Sequence, residues 1–411
     1  MKTLLLAIIY FAFISLGLPD SLLGAAWPAM QIDLEAPLET AGMLFMTIAG
    51  GTIISSLVSG RMLKRFGTGR VTFVSVLMTA CALLGFHFAP SVFWLFVCAI
   101  PLGLGAGAVD AGLNDYVAVN YKAHHMSWLH SFWGVGATLG PIILAQFIAA
   151  ENSWRNGYFI ISVIQFTLVA ILFFSLPLWK KVTMETTAST NETPDHTGST
   201  SHQEEDENKK PLQISGVKHA LIAFLFYCSV EASAGLWGSS FLVEIKGLDA
   251  ATAARWVSLY YAAITIGRII SGFITFKMSN QKLIRTGQVI ALTGAVLILL
   301  PLPGIFALFG FILLGLGLAP IFPCMLHETP ARFGKKHSQT IMGYQMATAY
   351  TGTTFVPPII GFISSHLTIA VLPLFLAIFV LIMLFSSEGL NRILKTKNRQ
   401  REISASLNIP S

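Results

Sequence analysis

Apolar residues fall into about twelve long stretches separated by short polar breaks. These lie near 4–28, 41–60, 70–90, 92–120, 126–149, 156–179, 216–243, 254–276, 284–301, 303–328, 338–364 and 369–390. At roughly 18–28 residues, each is long enough to cross about 30 Å of hydrocarbon as an α-helix. A barrel strand would alternate over about ten residues, which these runs do not do. Inside lipid, the helix is then the structure that satisfies every backbone N–H and C=O. The opening run MKTLLLAIIYFAFISLGL has the charge and length of a secretory signal peptide. With no crisp cleavage site and eleven further spans behind it, it is read as the first membrane helix.

Composition agrees with a bilayer-embedded chain: 54% of its residues are hydrophobic and 11% charged. Cys81, Cys98, Cys228 and Cys324 all fall inside spans without metal-ligand spacing, so neither a disulfide framework nor a zinc site is expected. The formal charge of +6 could suggest a nucleic-acid partner, but the distribution of the basic residues explains it better. If the N-terminus is cytoplasmic, 22 of the 26 Lys and Arg fall in inner loops and tails. Arg155, Lys246 and Arg255 are outside, and Arg268 lies within a span. This bias is the positive-inside pattern, and an even number of spans returns both termini to the cytoplasmic side of the plasma membrane.

The chain divides into two similar six-span halves, 1–179 and 216–394, followed by a basic cytoplasmic tail, 395–411. Between the halves, 180–215 is polar and nearly free of large apolar residues, the composition of a disordered linker. SGRMLKR (59–65) lines up with SGFITFK (271–277), and MSWLHSFWGVGATLGP (126–141) resembles MGYQMATAYTGTTFVPP (342–358). Paired glycines and prolines at similar depths suit close packing and kinks in two related bundles. Together with GRMLKRFGTGR after the second span, which keeps Gly60, Arg65, Gly67 and Arg70, the chain resembles the major facilitator superfamily. The resemblance implies an all-α integral membrane fold: twelve transmembrane helices in two pseudo-symmetric six-helix bundles. Lys64 stands where that superfamily's loop carries an acid, which puts its usual inner salt-bridge latch in doubt.

Charges inside the spans ask for a reason, since each costs about 2.5–3.5 kcal/mol on insertion scales. They are Asp20, Asp110, Asp115, His130, Glu231 and Arg268. Four acids against one obligate base leave charge that no side chain neutralises, and proton binding is the simplest remedy. Asp110 lies about 18 Å before the inner end of its span, close to the midplane, with Asn114 one turn on along the same face. Asp115, about 10 Å from that end, points elsewhere and is expected to make an interhelical or interfacial hydrogen bond. Asp20 follows Pro19, which kinks the helix and frees carbonyls, with Trp27 expected on the same face. Glu231 sits at a matching depth in the seventh span. His130 and Trp133 share a face of the fifth span, and Arg268 follows Tyr261 by seven residues in the eighth. Arg268 is expected to pair with an acid. Aromatic and amide side chains among carboxylates suit a sugar site.

GAGAVDAGLND, LHSFWGVGA, VEASAGLWGSSFL, GRIISGF and GLGLAPIFP sharpen the resemblance to the fucose, galactose and glucose cation-symporter branch. That resemblance implies Asp20 and Asp110 as proton or substrate carriers, Asn114 and His130 as site residues, and a site role for Glu231. Glu231 is grouped with the two aspartates for proton coupling. Asn114, His130, Trp133, Trp27 and Tyr261 are grouped for solute binding. The expectation is a monomeric secondary transporter that carries a small polar solute inward with a proton. Sodium is the alternative ion, because the same oxygens serve both. The competing reading is proton-driven efflux of a drug-like compound, suggested by GVGATLGP, although the glycine pair expected after it is missing. A transporter-like receptor is a third class. No GxxxxGK[ST] loop or enzyme motif is present, so neither ATP-driven transport nor a cofactor is expected.

Overall fold

A computed structural model describes residues 2–121, 123–151, 153–189, 211–275 and 277–407. Apolar runs become helices wherever the backbone has no water to bond, and no strand occurs among the described residues. The helices are α1 (Lys2–Asp20), α2 (Leu22–Asp33), α3 (Glu39–Phe66), α4 (Thr68–His87), α5 (Val92–Asn120), α6 (Ala123–Glu151) and α7 (Trp154–Ser189). After them come α8 (Val217–Glu244), α9 (Ala250–Ile274), α10 (Asn280–Leu299), α11 (Gly304–Leu318), α12 (Ile321–Phe333), α13 (Lys335–His366) and α14 (Leu372–Leu407). α1 and α2 form one crossing broken at Ser21, and α11 and α12 form another broken at Ala319–Pro320.

Among the described residues, eleven stretches are long and apolar enough to cross a membrane. The remaining crossing, α13, is 32 residues long but carries Gln345, Thr348, Thr351, Thr353 and Thr354, which lower its hydropathy. The sixth span extends beyond the expected 179: α7 continues to Ser189 through residues such as Lys180, Met184 and Glu185, which tolerate helix well. Of the expected linker, 190–210 lies outside the described residues, and Pro211–Gln213 form a short 3₁₀ turn. In the tail, α14 runs to Leu407, and 408–411 lie outside the description.

Two one-residue turns join successive helices. Gly67 links α3 to α4 at φ +80°, and Gly334 links α12 to α13 at φ +86°. Both have ψ near 150°, a region open essentially to glycine alone.

The packing repeats between the halves. In the first, α1 lies on α6 and α7, α3 on α5, and α4 on α5 and α7. In the second, α8 lies on α13 and α14, α9 on α11, and α10 on α11 and α14. Small residues allow these approaches. Gly103 and Gly107 of α5 lie against the Ile48 and Thr52 carbonyls of α3, where Thr52 and Ser56 hydroxyls donate to the Gly103 and Gly107 carbonyls at 3.2 Å. Gly315 of α11 lies against the Tyr260 carbonyl of α9 in the same way. Gly136 and Gly140 of GVGATLGP seat on the Ile14 and Leu18 carbonyls of α1, which accounts for both as packing residues.

The halves meet along α6 with α9, α3 with α13, and α2 with α8. Beyond Asp20, on the face away from the termini, the seam is sealed. Gly24 backs onto the Gly235 carbonyl and Leu236, and Gly42 onto Pro358 and the Trp237 ring, which is itself fixed by an indole N–H donated to the Pro357 carbonyl of the same half at 2.8 Å. Asp20 and His130 are nevertheless exposed, so solvent reaches them from the face that carries the termini.

A side chain on Gly24 would meet backbone rather than a movable side-chain tip. Gly24→Val should therefore lower stability by about 1–3 kcal/mol through overpacking, seen as a fall in melting temperature in detergent. Gly50→Ala, at a helical position open for 4 Å around, should leave the melting temperature unchanged or raise it slightly. Equal melting temperatures for the two variants would contradict the packing described.

Candidate functional site

The first crossing of each half carries an acid four residues before a glycine: Asp20 and Gly24, across the break at Ser21, in the first half, and Glu231 and Gly235, within α8, in the second. Because Gly24 and Gly235 touch, the two acids lie about one turn from the sealed crossing, on the side toward the termini. Around them the seam brings together groups from both halves.

Asp20 ends α1 at the break, where the Trp133 indole N–H, from α6, donates to its Oδ2 at 2.7 Å. Asp110 of α5 is within electrostatic reach of Asp20. On Asp110, Asn114 donates its amide N–H to Oδ1 at 2.9 Å and to the Asp110 carbonyl at 3.0 Å. That leaves the Asn114 Oδ1 buried without a hydrogen-bond partner. Among the described residues, neither Asp20 nor Asp110 has a cation at ion-pair distance.

The single intramembrane arginine is already engaged. Arg268 of α9 donates to Glu231 Oε1 at 3.1 Å and to the Tyr227 hydroxyl at 3.3 Å. Tyr260 donates to the Glu231 carbonyl at 3.1 Å. The Arg268 guanidinium also lies 5.6 Å from the centre of the Trp133 ring, a cation–π contact across the seam. Tyr261 is buried with its hydroxyl against Gly235, within reach of the charges on Asp20 and Glu231. His130, one turn before Trp133, meets the edge of Phe13 at 5.9 Å and is within electrostatic reach of Arg268.

The structure thus collects Asp20, Asp110, Asn114, His130, Trp133, Glu231, Tyr261 and Arg268 in one region. Trp27 does not join them. It is fully buried in the core, its indole N–H unpartnered, because the break at Ser21 stops the seven-residue spacing from carrying one face across from Asp20. Asp115 is exposed toward the terminal end of α5, away from this cluster. Two other tyrosines belong to it. Tyr227 precedes Glu231 by four residues, a spacing that already places them on one helix face. Tyr350 of α13 lies within electrostatic reach of Asp110; the polarity of its span was the signal available for it.

A multi-pass bundle with two repeated halves and a cluster of charged groups at their seam defines a class, the membrane transporters. A sequence model of the Major Facilitator Superfamily matches residues 9–331 and 220–403, and the chain belongs to that superfamily. It is 23% identical over 360 residues to the glucose/mannose transporter GlcP of Bacillus subtilis, covering 86% of each chain. It is 21% identical over 281 residues to the cis,cis-muconate transport protein of Acinetobacter baylyi, covering 66% of each. The inward-open xylose transporter XylE from E. coli shares its fold, with a TM-score of 0.74 at 11% identity over 96% of each chain. The protein is a membrane transporter and not an enzyme.

Arg268 and Glu231 are each less than a fifth exposed, and stranding one partner of a buried pair costs up to about 3–5 kcal/mol. Arg268→Gln should therefore depress the melting temperature more than the double substitution Arg268→Gln, Glu231→Gln, which leaves no lone charge. A double variant less stable than the single one would contradict the pairing.

Proposed function

We propose that this transporter carries a sugar or a similar small neutral polar solute inward with a proton, by alternating access, with Asp20 and Asp110 as the proton-carrying groups. The observation behind this reading is a pair of carboxyls at the seam, Asp20 within reach of the charge on Asp110 and neither with a cation at ion-pair distance among the described residues, while Arg268 is held by Glu231. Holding two like charges close together is costly, and one bound proton removes the repulsion. A step that needs that proton, and releases it once the site faces the other side, links solute movement to the proton gradient. A membrane potential supplies about 2.3 kcal/mol per charge per 100 mV, enough for roughly fiftyfold accumulation.

Three carboxyls and one guanidinium repel an anionic solute, whereas hydroxyls suit carboxylate and amide acceptors and sugar rings stack on aromatic faces. The likeness to a glucose/mannose transporter over most of the chain supports the sugar. The basic loops support a plasma-membrane orientation with both termini cytoplasmic. Each half supplies side chains to one site, so a monomer is complete. A proton is the favoured ion, and a sodium gradient in place of the pH gradient is the control.

Uptake of a labelled sugar panel into proteoliposomes tests this. Wild-type protein should accumulate a neutral sugar when a pH gradient is imposed, acid on the entry side, and should only equilibrate it without one. Asp110→Asn should lose accumulation yet retain exchange of labelled for unlabelled sugar. Accumulation that ignores the pH gradient, or survives in Asp110→Asn, would overturn the reading.

A further inference from the structure

Trp133 makes two contacts with chemically different parts of one ring, and each joins it to a different charged group. Its N–H lies in the ring plane and is used on Asp20 Oδ2 at 2.7 Å. The Arg268 guanidinium faces the ring, 5.6 Å from its centre. Edge and face do not compete, so one rigid indole holds both partners at once. Asp20 and Trp133 belong to the first half and Arg268 to the second, where it grips Glu231 at 3.1 Å. Asp20 and Glu231 are the corresponding acids of the two halves, and the indole touches the first directly and the second through Arg268, where α6 meets α9.

We propose that Trp133 is a positioning residue that links the charge on Asp20 to the Arg268–Glu231 pair, so that protonation in one half is felt at the seam with the other. This rests on the proton-coupled reading above. An indole N–H bonded to a carboxylate makes a charge-assisted hydrogen bond, roughly twice as strong as one to a neutral acceptor. While Asp20 is ionised, the ring is held where its face meets Arg268. Once Asp20 takes a proton, the hold weakens and the ring is free to part from the arginine as the halves rock. The link therefore favours the present packing of the seam when Asp20 is charged and relaxes it when Asp20 is neutral. The charged and titratable groups facing this contact are Asp110 on α5, His130 on α6, Glu231 on α8, and Tyr261 and Arg268 on α9. Among the described residues, Asp20 and Arg268 are the charged groups in direct contact with the indole.

Trp133→Phe keeps a ring for Arg268 and removes the N–H, while Trp133→His keeps an aromatic N–H donor. Full-length protein in proteoliposomes is assayed with labelled glucose in two ways, as accumulation under an imposed pH gradient and as exchange at equal pH. Wild-type protein is measured first: absence of pH-driven accumulation there refutes the proton-coupled reading, and this proposal falls with it. Given wild-type accumulation, Trp133→Phe should lower the ratio of accumulation to exchange at least tenfold, and Trp133→His should recover a substantial part of it. A merely structural role would reduce both activities together and leave the ratio unchanged. Wild-type ratios in Trp133→Phe, or parallel loss of both activities in both variants, would overturn the proposal, the latter assigning Trp133 to solute contact or folding.

Discussion

A bilayer supplies no counter-charge, and this chain supplies one guanidinium to a region holding three carboxyls. Most of what is specific to the protein follows from how that shortage is met. Arg268 is committed to Glu231, with tyrosine hydroxyls from two helices completing the arrangement. Asp20 and Asp110 receive hydrogen bonds from Trp133 and Asn114 but, among the described residues, no cation at ion-pair distance. Hydrogen bonds orient a carboxylate without cancelling its charge. What remains is an electrostatic imbalance open to solvent from one face, where a mobile cation can settle it.

The same two-fold repetition that places the acids also places the means of shutting them off. Gly24 and Gly235 stand at equal spacing beyond Asp20 and Glu231 and touch across the seam, so closure occurs about one turn from the charges. Backbone contact at a crossing of small residues leaves little to unlock beyond the Ser239 hydroxyl, which donates to the Ala25 carbonyl at 3.4 Å. It can form and part without leaving a buried polar group stranded. Gly103 and Gly107 of α5 and Gly136 and Gly140 of α6, by contrast, bind helices of the same half to one another, keeping that half rigid enough to move as a body.

Much of this was legible in the residues alone. The span pattern anticipated the helices because membrane length leaves little freedom: α5 begins and ends where the apolar run 92–120 does. Pairing of Arg268 with an acid followed from the price of a lone charge in lipid, although its partner among four acids did not. The breaks were harder. Seven-residue spacing put Trp27 beside Asp20, but a turn at Ser21 intervenes and sends the indole into the core. The discontinuity at Ala319–Pro320 was hidden inside an unbroken apolar run, since one crossing made of two helices has the same composition as a continuous one. Tyr350 escaped notice because its relation to Asp110 joins the eleventh span to the fourth, and only the assembled seam brings them together.

The central claim is that solute and proton cross together because the Asp20–Asp110 pair demands it. A pH electrode in the medium outside proteoliposomes, in weak buffer and with no gradient imposed, reads this directly when solute is added. Solute entry should make the outside medium more alkaline, in fixed proportion to the solute taken up, and Asp110→Asn vesicles should give no such signal. Solute entering wild-type vesicles with no change in external pH would contradict the account.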